Sequence, residues 1–437
     1  MTGTPIPEDI STRLQRIAHL AKEDPQRAFL SLSHYIDVDL LREAHRRTRK
    51  DGAVGVDGRT AAEYGEKLEE NLQDLLDRFK SGRYKAPPVR RTYIPKGDGT
   101  ATRPIGIPTF EDKLLQRAAV MALEAVYEQD FLDCSYGFRP GRSAHGALNA
   151  LRKGLMEMGG GWILDVDISS FFDSLSHCHL RSFLDQRVRD GVLRRTIDKW
   201  LAAGVMEEGV VSHPDAGTPQ GGVVSPLLAN VYLHEVIDRW FVSDVKPRLR
   251  GRAFMIRYAD DLAMVFANEA DARVAKDMLA ERLGLYGLSL HPTKTRVVEF
   301  RPRDEAKGTD SRSFDFLGFT HYWARSRRKG SWMVMRKTAS SRVRRTLKRL
   351  SAWCRRHRHQ PVAWQHARIV MALRGHYNYF GLPGNMRALE CLRRAVEDIW
   401  QKWLNRRSQN RHMRWARFAQ LLKRYPLPRP LLRAAVS

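Results

Sequence analysis

The sequence predicts an α+β chain, with a strand-rich centre, amphipathic helices before it and a strongly basic helical third after it. Three observations predict this. Apolar runs rich in β-favouring residues, WILDVDI at 162–168 and the two arms of FMIRYADDLAMVF at 254–266, lie in the middle of the chain. Apolar residues recur at helical spacing on both sides of them. Charge is also split: from His321 to the end there are 29 basic and three acidic residues, a net of +26, which leaves the first 320 residues balanced at 46 of each sign.

Residues 8–50 read as helical and end in a basic run. A glycine-rich loop, DGAVGVDGRT, follows, and then an amphipathic helix over 60–80 with Leu68, Leu72, Leu75, Leu76 and Phe79 on one face. YKAPPVRRTYIPKGDGTATRPIGIP is punctuated by Pro and Gly between short β-like runs, which predicts a hairpin. A helix is expected over 111–130. WILDVDI reads as a buried strand whose acids, Asp165 and Asp167, are two apart and so share a face. A helix is expected from about 176. Residues 217–222 form a glycine-rich loop, and Ser225 with Pro226 starts a helix through Trp240. In FMIRYADDLAMVF two apolar arms flank Ala259-Asp260-Asp261, which predicts a hairpin with acids at its tip. A helix over 271–286, a strand over 295–300 and a strand pair over 314–323 follow. Beyond Lys337 helices dominate. Val343, Leu347, Leu350 and Trp353 make one apolar stripe, and Met386, Leu389, Leu392, Val396, Ile399, Trp400 and Trp403 make another, with arginines opposite.

Composition narrows the function classes. A hydrophobic fraction of 43% supports real cores. No apolar run reaches the roughly 18 residues a membrane span needs, and the N-terminus lacks a signal-peptide layout. The four cysteines are scattered without CxxC spacing, which argues against a zinc site or a disulfide framework. A cytoplasmic location is expected. Between Phe316 and Leu389 there is no carboxylate at all. Ordinary surfaces intersperse both signs, so a block of this size points to a polyanion, most simply a nucleic acid backbone.

The chemistry rests on the acids. A lone Asp-Asp in a hairpin is usually a turn, and a lone Asp after a strand is usually a cap. Their joint order is more specific: strand and Asp167, glycine-rich loop, then apolar-flanked Asp260 and Asp261. Carboxylates near apolar surface need cations or hydrogen bonds. Hard oxygen ligands from separate strands suit Mg²⁺, and a pair of such ions suits in-line phosphoryl transfer.

These residues fall in a recognisable series. LDVDISSFFD at 164–173, GTPQGGVVSPLLANVYL at 217–233 and RYADD at 257–261, with RPIGIP at 103–108, HPTKT at 291–295 and FLGF at 316–319, occur in one order along the chain. In this the sequence resembles the reverse transcriptases encoded by bacterial group II introns. GAVGVDG and YKAPPVRRTYIPK resemble that family's N-terminal extension, and ALRGHYNYFGLPG and RYPLPRP its thumb and maturase region. The resemblance implies a right-hand polymerase: an N-terminal extension (1–90), fingers and a palm with an antiparallel sheet (91–330), and a basic helical thumb and maturase region (331–437).

The resemblance also implies residue roles. Asp167 and Asp260 would bridge two Mg²⁺ ions, with Mn²⁺ an alternative, Asp261 would add charge, and the carbonyl of Ile168 would complete one metal. Phe172 would clash with a 2′-hydroxyl, while Phe171 is core. Lys96 and Arg103 would hold the incoming dNTP, Gln220 would contact nucleotide or template, and Lys294 would serve as general acid to the pyrophosphate. Phe316, Leu317, Gly318 and Phe319 would grip the primer through their backbone. Asp165 is read as structural. The implied partners are an RNA template, a DNA or RNA primer, dNTPs and a structured intron RNA, with no membrane and no obligate protein partner. Nothing after Tyr425 resembles an HNH endonuclease, so DNA cutting is not expected. Two other readings stay open. One is a domesticated or defence-associated enzyme with no splicing role. The other is a splicing cofactor whose polymerase is incidental or dead; the intact acid set opposes a dead site.

Overall fold

A computed structural model describes residues 8–96, 101–207, 209–212, 217, 221–302, 313–326, 330–408 and 413–432. The chain divides into two compact units. The first comprises Met1–Leu151 and Leu164–Val297, and the second Arg152–Ile163 and Val298–Ser437. Helices and antiparallel strands are mixed throughout, as the α+β reading requires.

The first unit opens with helices α1 (Glu8–Glu23), α2 (Val38–Arg47), α3 (Ala61–Gly65) and α4 (Leu68–Lys80). The sequence predicts single helices over 8–50 and 60–80, and both are interrupted for local reasons. Pro25 ends the first, and the Asp190 carboxylate takes the backbone N–H groups of Leu32 and Ser33, each at 2.7 Å, which a helix would have used internally. Asp37 then caps α2 by accepting from Leu40 N at 2.9 Å. In the second, the Asn71 amide donates to Tyr64 O at 2.9 Å, which closes α3 just before α4 begins. Leu72, Leu75 and Phe79 of the predicted apolar face are buried.

Strands β1 (Val89–Lys96) and β2 (Ala101–Ile107) form the predicted hairpin, in register from Arg90↔Ile107 to Lys96↔Ala101. After helices α5 (Phe110–Tyr127) and α6 (Ala144–Met158) comes β3 (Gly161–Val166), then helices α7 (Phe171–Ser174), α8 (His177–Arg187) and α9 (Gly191–Ala202). A short hairpin absent from the sequence reading, β4 (Val205–Glu207) with β5 (Val210–Ser212), extends the first hairpin into a sheet of order β2-β1-β4-β5. Helix α10 (Ser225–Leu233) starts at Ser225-Pro226 as predicted and continues through two π-helical turns, His234–Asp238 and Phe241–Val245. Strands β6 (Ala253–Tyr258) and β7 (Asp261–Phe266), helix α11 (Glu269–Leu285) and strand β8 (Arg296–Phe300) follow. They complete a sheet of order β6-β7-β3-β8, so strands remote in sequence become neighbours.

In the second unit β9 (Phe314–Phe316), β10 (Phe319–Arg325) and β11 (Trp332–Thr338) make an antiparallel sheet, followed by α12 (Ser340–Arg356), α13 (Val362–Phe380), α14 (Met386–Asn405) and α15 (Trp415–Arg424). The sequence reading has no strand at β11; its segment merges into the surrounding run of basic residues. Buried polar side chains join the pieces. Asn385 accepts from Thr338 N and donates to Thr338 Oγ1 and Phe380 O, each at 2.8 Å. Gln365 donates to the carbonyls of His357, Arg358 and Gln360 at the end of α12, while its oxygen takes the buried Trp400 N–H at 3.0 Å. Trp400 is therefore core, as the stripe predicts, whereas Trp364 and Trp415 are exposed. Among the described residues no helix is long and apolar enough to cross a membrane.

Buried Asp112 on α5 links several elements of the first unit. Its carboxylate accepts from Tyr84 Oη, from Trp200 Nε1 at 2.8 Å and from Gln116 Nε2 at 3.1 Å, and the Gln116 oxygen in turn accepts from Val223 N at 2.7 Å. Burial raises its pKa from 3.8 to about 6, against the pull of these hydrogen bonds. The folded chain thus holds this proton more tightly than the unfolded chain. The contribution to stability is fully present below pH 3.8 and is lost as pH rises through about 6. The melting temperature of the wild type minus that of Asp112→Asn should therefore fall between pH 4 and pH 7. A constant difference in thermal melts across that range would contradict the assignment.

Candidate active site

Asp167 stands one residue past the end of β3. Its backbone is braced by the HPTKT segment. Asp167 N donates to Thr295 Oγ1 at 3.3 Å, Asp167 O accepts from Thr295 Oγ1 at 3.2 Å, and His291 N donates to the same carbonyl at 2.8 Å. Ser169 N continues the brace to Ser289 O at 2.9 Å. A buried hydroxyl acting both as donor and as acceptor thus fixes where the strand delivers its carboxylate.

The other two acids come from the β6–β7 hairpin. Pairing runs from Ala253↔Phe266 to Tyr258↔Asp261, which leaves Ala259 and Asp260 as a two-residue turn. Tight hairpin turns of this length need positive φ, and Ala259 adopts it at 56° without being glycine. Ser170, at the start of α7, has φ 44°. Such backbone costs on the order of 1–3 kcal/mol and clusters at functional sites.

Both segments open on one cleft of about 420 Å³, lined by Arg103, Asp167, Ile168, Phe172, Asp260, Asp261 and Lys294 among others. Seven residues singled out from the sequence are therefore brought together. The electrostatics are those of a site short of positive charge. Burial raises the Asp260 pKa above its ordinary value, and neighbouring Asp167 adds to this, while Arg103 and Arg257 oppose the shift. Lys294 Nζ sits 3.2 Å from Asp167 Oδ2. Phe171 is buried beside Tyr232, and Phe172 is half-buried at the cleft. Asp165 pairs with Arg296 at 3.3 Å and does not line the cleft.

Among the described residues no group of three or more His, Cys, Asp or Glu side chains is gathered as a complete metal cage. The cleft lining includes the carboxylates of Asp167, Asp260 and Asp261, with Ile168 beside Asp167. They are hard oxygens, and the raised Asp260 pKa marks a place where a cation would be stabilising.

Lys96 is the last residue of β1, paired in the ladder with Ala101, and Arg103 pairs with Ile94. Gln220 lies outside the described residues. Phe316–Phe319 form the β9–β10 turn in the second unit: Phe316 and Phe319 are buried, and the Leu317 carbonyl accepts from Tyr379 Oη at 2.9 Å. Sequence reasoning missed Ser169, Ser170, Asp173 and His291 at the cleft, and Thr295 behind it. It also missed Arg257, although an arginine inside an apolar strand run is itself a signal of a buried, partnered charge.

Residues 94–321 match the family described as reverse transcriptase (RNA-dependent DNA polymerase). Protein YkfC of Escherichia coli is 35% identical over 288 residues, 59% of this chain and 75% of that protein. The group II intron-encoded protein LtrA of Lactococcus lactis is 37% identical over 240 residues, 54% of this chain. The nuclear intron maturase 2 of Arabidopsis thaliana is 30% identical over 224 residues, 40% of this chain. The matched segment spans 39% of the length of LtrA and 30% of the Arabidopsis protein.

Thr295→Val removes both bonds to the Asp167 backbone while keeping shape. Denaturant unfolding should show a loss of about 1–3 kcal/mol, the cost of leaving the Asp167 N–H unsatisfied, since His291 N still serves the Asp167 carbonyl. An unchanged midpoint would show that the brace carries no load.

Proposed function

The chain belongs to the reverse transcriptase (RNA-dependent DNA polymerase) family, and from that premise we propose that it copies an RNA template into DNA by adding dNTPs to a primer in the cleft of Asp167, Asp260 and Asp261. The convergence of these three acids, from a strand end and a hairpin turn, is the observation that carries the reading. Divalent ions bound there, Mg²⁺ by this reading, lower the pKa of an attacking hydroxyl and stabilise the leaving oxygen. Asp167 and Asp260 would hold both ions, with Asp261 and the Ile168 carbonyl completing the donor set. Arg103, beside Asp260, would grip the triphosphate together with Lys96. Lys294, against Asp167, would give its proton to the departing pyrophosphate. Phe172, at the cleft wall, would exclude a 2′-hydroxyl by contact, and Gln220 would meet the nucleotide or template.

The right-hand assignment follows from the same reading. The β1–β2 hairpin would belong to the fingers, the β6-β7-β3-β8 sheet to the palm, the turn at Phe316–Phe319 to the primer grip, and the helices after β11 to the thumb. The thumb is where RNA would be held. Lys348, Arg355, Arg356 and Arg358 surround Trp403 in a pocket without a carboxylate, and Arg355, Lys402 and Arg406 lie over its ring. Cations for phosphate and a ring for stacking are what single-stranded RNA requires. The likeness to a group II intron-encoded protein supports an origin inside such an intron, and the likeness to an intron maturase supports a role in splicing that intron's RNA.

Asp260→Ala should lower Mg²⁺-dependent primer extension on RNA by at least about 100-fold, some 2.7 kcal/mol of transition-state stabilisation, with RNA affinity little changed. Retained extension would remove the acids from the mechanism. Phe172→Ala should cut the preference for dNTP over rNTP in kcat/KM by about tenfold or more, roughly 1.4 kcal/mol; an unchanged ratio would return Phe172 to the core. Replacing Lys348, Arg355 and Arg356 together by Gln should reduce the slope of log affinity against log salt by roughly 2 for single-stranded RNA. An unchanged slope would place the RNA elsewhere.

A further inference from the structure

Arg257 lies in β6 three residues before Asp260, and its side chain is 0% exposed. All five of its N–H donors are used. Nε and one Nη2 proton bind both oxygens of Asp238, which is also fully buried, the Nε contact being 2.7 Å. The second Nη2 proton goes to Ser135 Oγ at 2.9 Å. The Nη1 protons go to Asn230 Oδ1 at 2.9 Å and to the carbonyl of Ala259 at 3.2 Å. Asp238 and Ser135 alone would neutralise and seat the guanidinium. The Nη1 arm is additional, and it points at the turn that carries Asp260.

Asn230 holds the same turn from a second direction. Its amide nitrogen donates to Gly137 O at 2.7 Å. Gly137 packs so closely on the hairpin that a Cβ there would lie 2.9 Å from Tyr258 C and still nearer Ala259 N. The loop carrying Gly137 is locked to β6 by backbone bonds between Arg257 and Cys134 O and between Tyr136 and Arg257 O, both 2.8 Å. Ala259, with φ 56°, is thus held between the guanidinium and Gly137 in a conformation an alanine rarely adopts by itself. A buried ion pair is seldom a net gain in stability over an apolar pair, because two charges lose their hydration. Here it supplies direction: five fixed donors in one plane.

We propose that Arg257 is a positioning residue of the polymerase reaction, which through Asn230, Gly137 and the Ala259 carbonyl sets the turn so that the Asp260 carboxylate faces the cation seat. It touches neither substrate nor metal. The proposal rests on the polymerase reading and adds to it a device that acts on one ligand carboxylate.

The test uses full-length wild type, Arg257→Lys, Asn230→Ala and Asp260→Ala, with Leu72→Ala as a destabilised control buried in α4. Lysine keeps the charge beside Asp238 but cannot span all four partners. Asn230→Ala keeps the Arg257–Asp238 pair and the direct bond to the Ala259 carbonyl but removes the bridge through Asn230 to Gly137, so it carries the test should Arg257→Lys fail to fold. Three quantities are read: melting temperature, Mn²⁺ affinity from the EPR signal of the free ion, and single-turnover extension at saturating dNTP across a Mg²⁺ series. Asn230→Ala should bind Mn²⁺ at least fivefold more weakly, need correspondingly more Mg²⁺, and extend at least tenfold more slowly, with KM for dNTP within twofold of wild type. Leu72→Ala should lose melting temperature with no change in Mn²⁺ affinity or Mg²⁺ midpoint. An Asn230→Ala protein that loses only melting temperature, like the control, would overturn the positioning role. Absence of extension by wild type itself would overturn the polymerase reading, and the proposal with it.

Discussion

Carboxylates that share a cleft repel one another, and Asp260 also loses hydration by being there. Asp260 carries the mark of this: burial and Asp167 together push its pKa up, against the pull of Arg103 and Arg257. Such an arrangement is unfavourable for a folded chain left to itself. The surrounding structure is built to sustain it. Thr295 and His291 hold the Asp167 backbone, the β6–β7 turn holds Asp260 in left-handed geometry at Ala259, and Lys294 and Arg103 supply positive charge at the rim. A site that invites cations in this way is suited to chemistry on phosphates, where charge develops on oxygens in the transition state.

The opposite charge is kept apart along the chain. The cationic excess lies beyond His321, while the acids of the cleft lie in the balanced part. Separation has a physical use. A long stretch without carboxylates, such as that between Phe316 and Leu389, suits a polyanionic partner. Within the second unit the apolar sides of α12 and α14 pack together, and Trp403 fixes one seam by donating to Ser351 Oγ at 3.0 Å. Its ring remains among cations.

How far the sequence could be read depended on the range of the forces involved. The hairpin at Ala259-Asp260-Asp261, the β1–β2 pair and the start of α10 at Ser225-Pro226 follow from neighbours in sequence. Asp167 was recognisable because a strand pattern ends on it. The break near Lys67 is local, closed by Asn71 seven residues beyond Tyr64, whereas the segment after Pro25 is held by a remote side chain, Asp190 being 157 residues from Ser33. The support of the turn that carries Asp260 was hidden for the same reason. Asp238, Asn230 and Ser135 lie 19, 27 and 122 residues from Arg257. No spacing rule connects them, and only the folded chain brings their acceptors to one guanidinium. Strand β11 was concealed differently, by a density of basic residues that resembles the helices after it.

The central claim is that the three acids make this chain an RNA-directed DNA polymerase. The most direct measurement is extension of a labelled DNA primer on a defined RNA template, with wild type and the Asp167→Ala, Asp260→Ala double variant side by side, and sequencing of the product. The account predicts divalent-dependent DNA complementary to the RNA from wild type and none from the variant. Equal product from both, or none from wild type across Mg²⁺ and Mn²⁺, would contradict it.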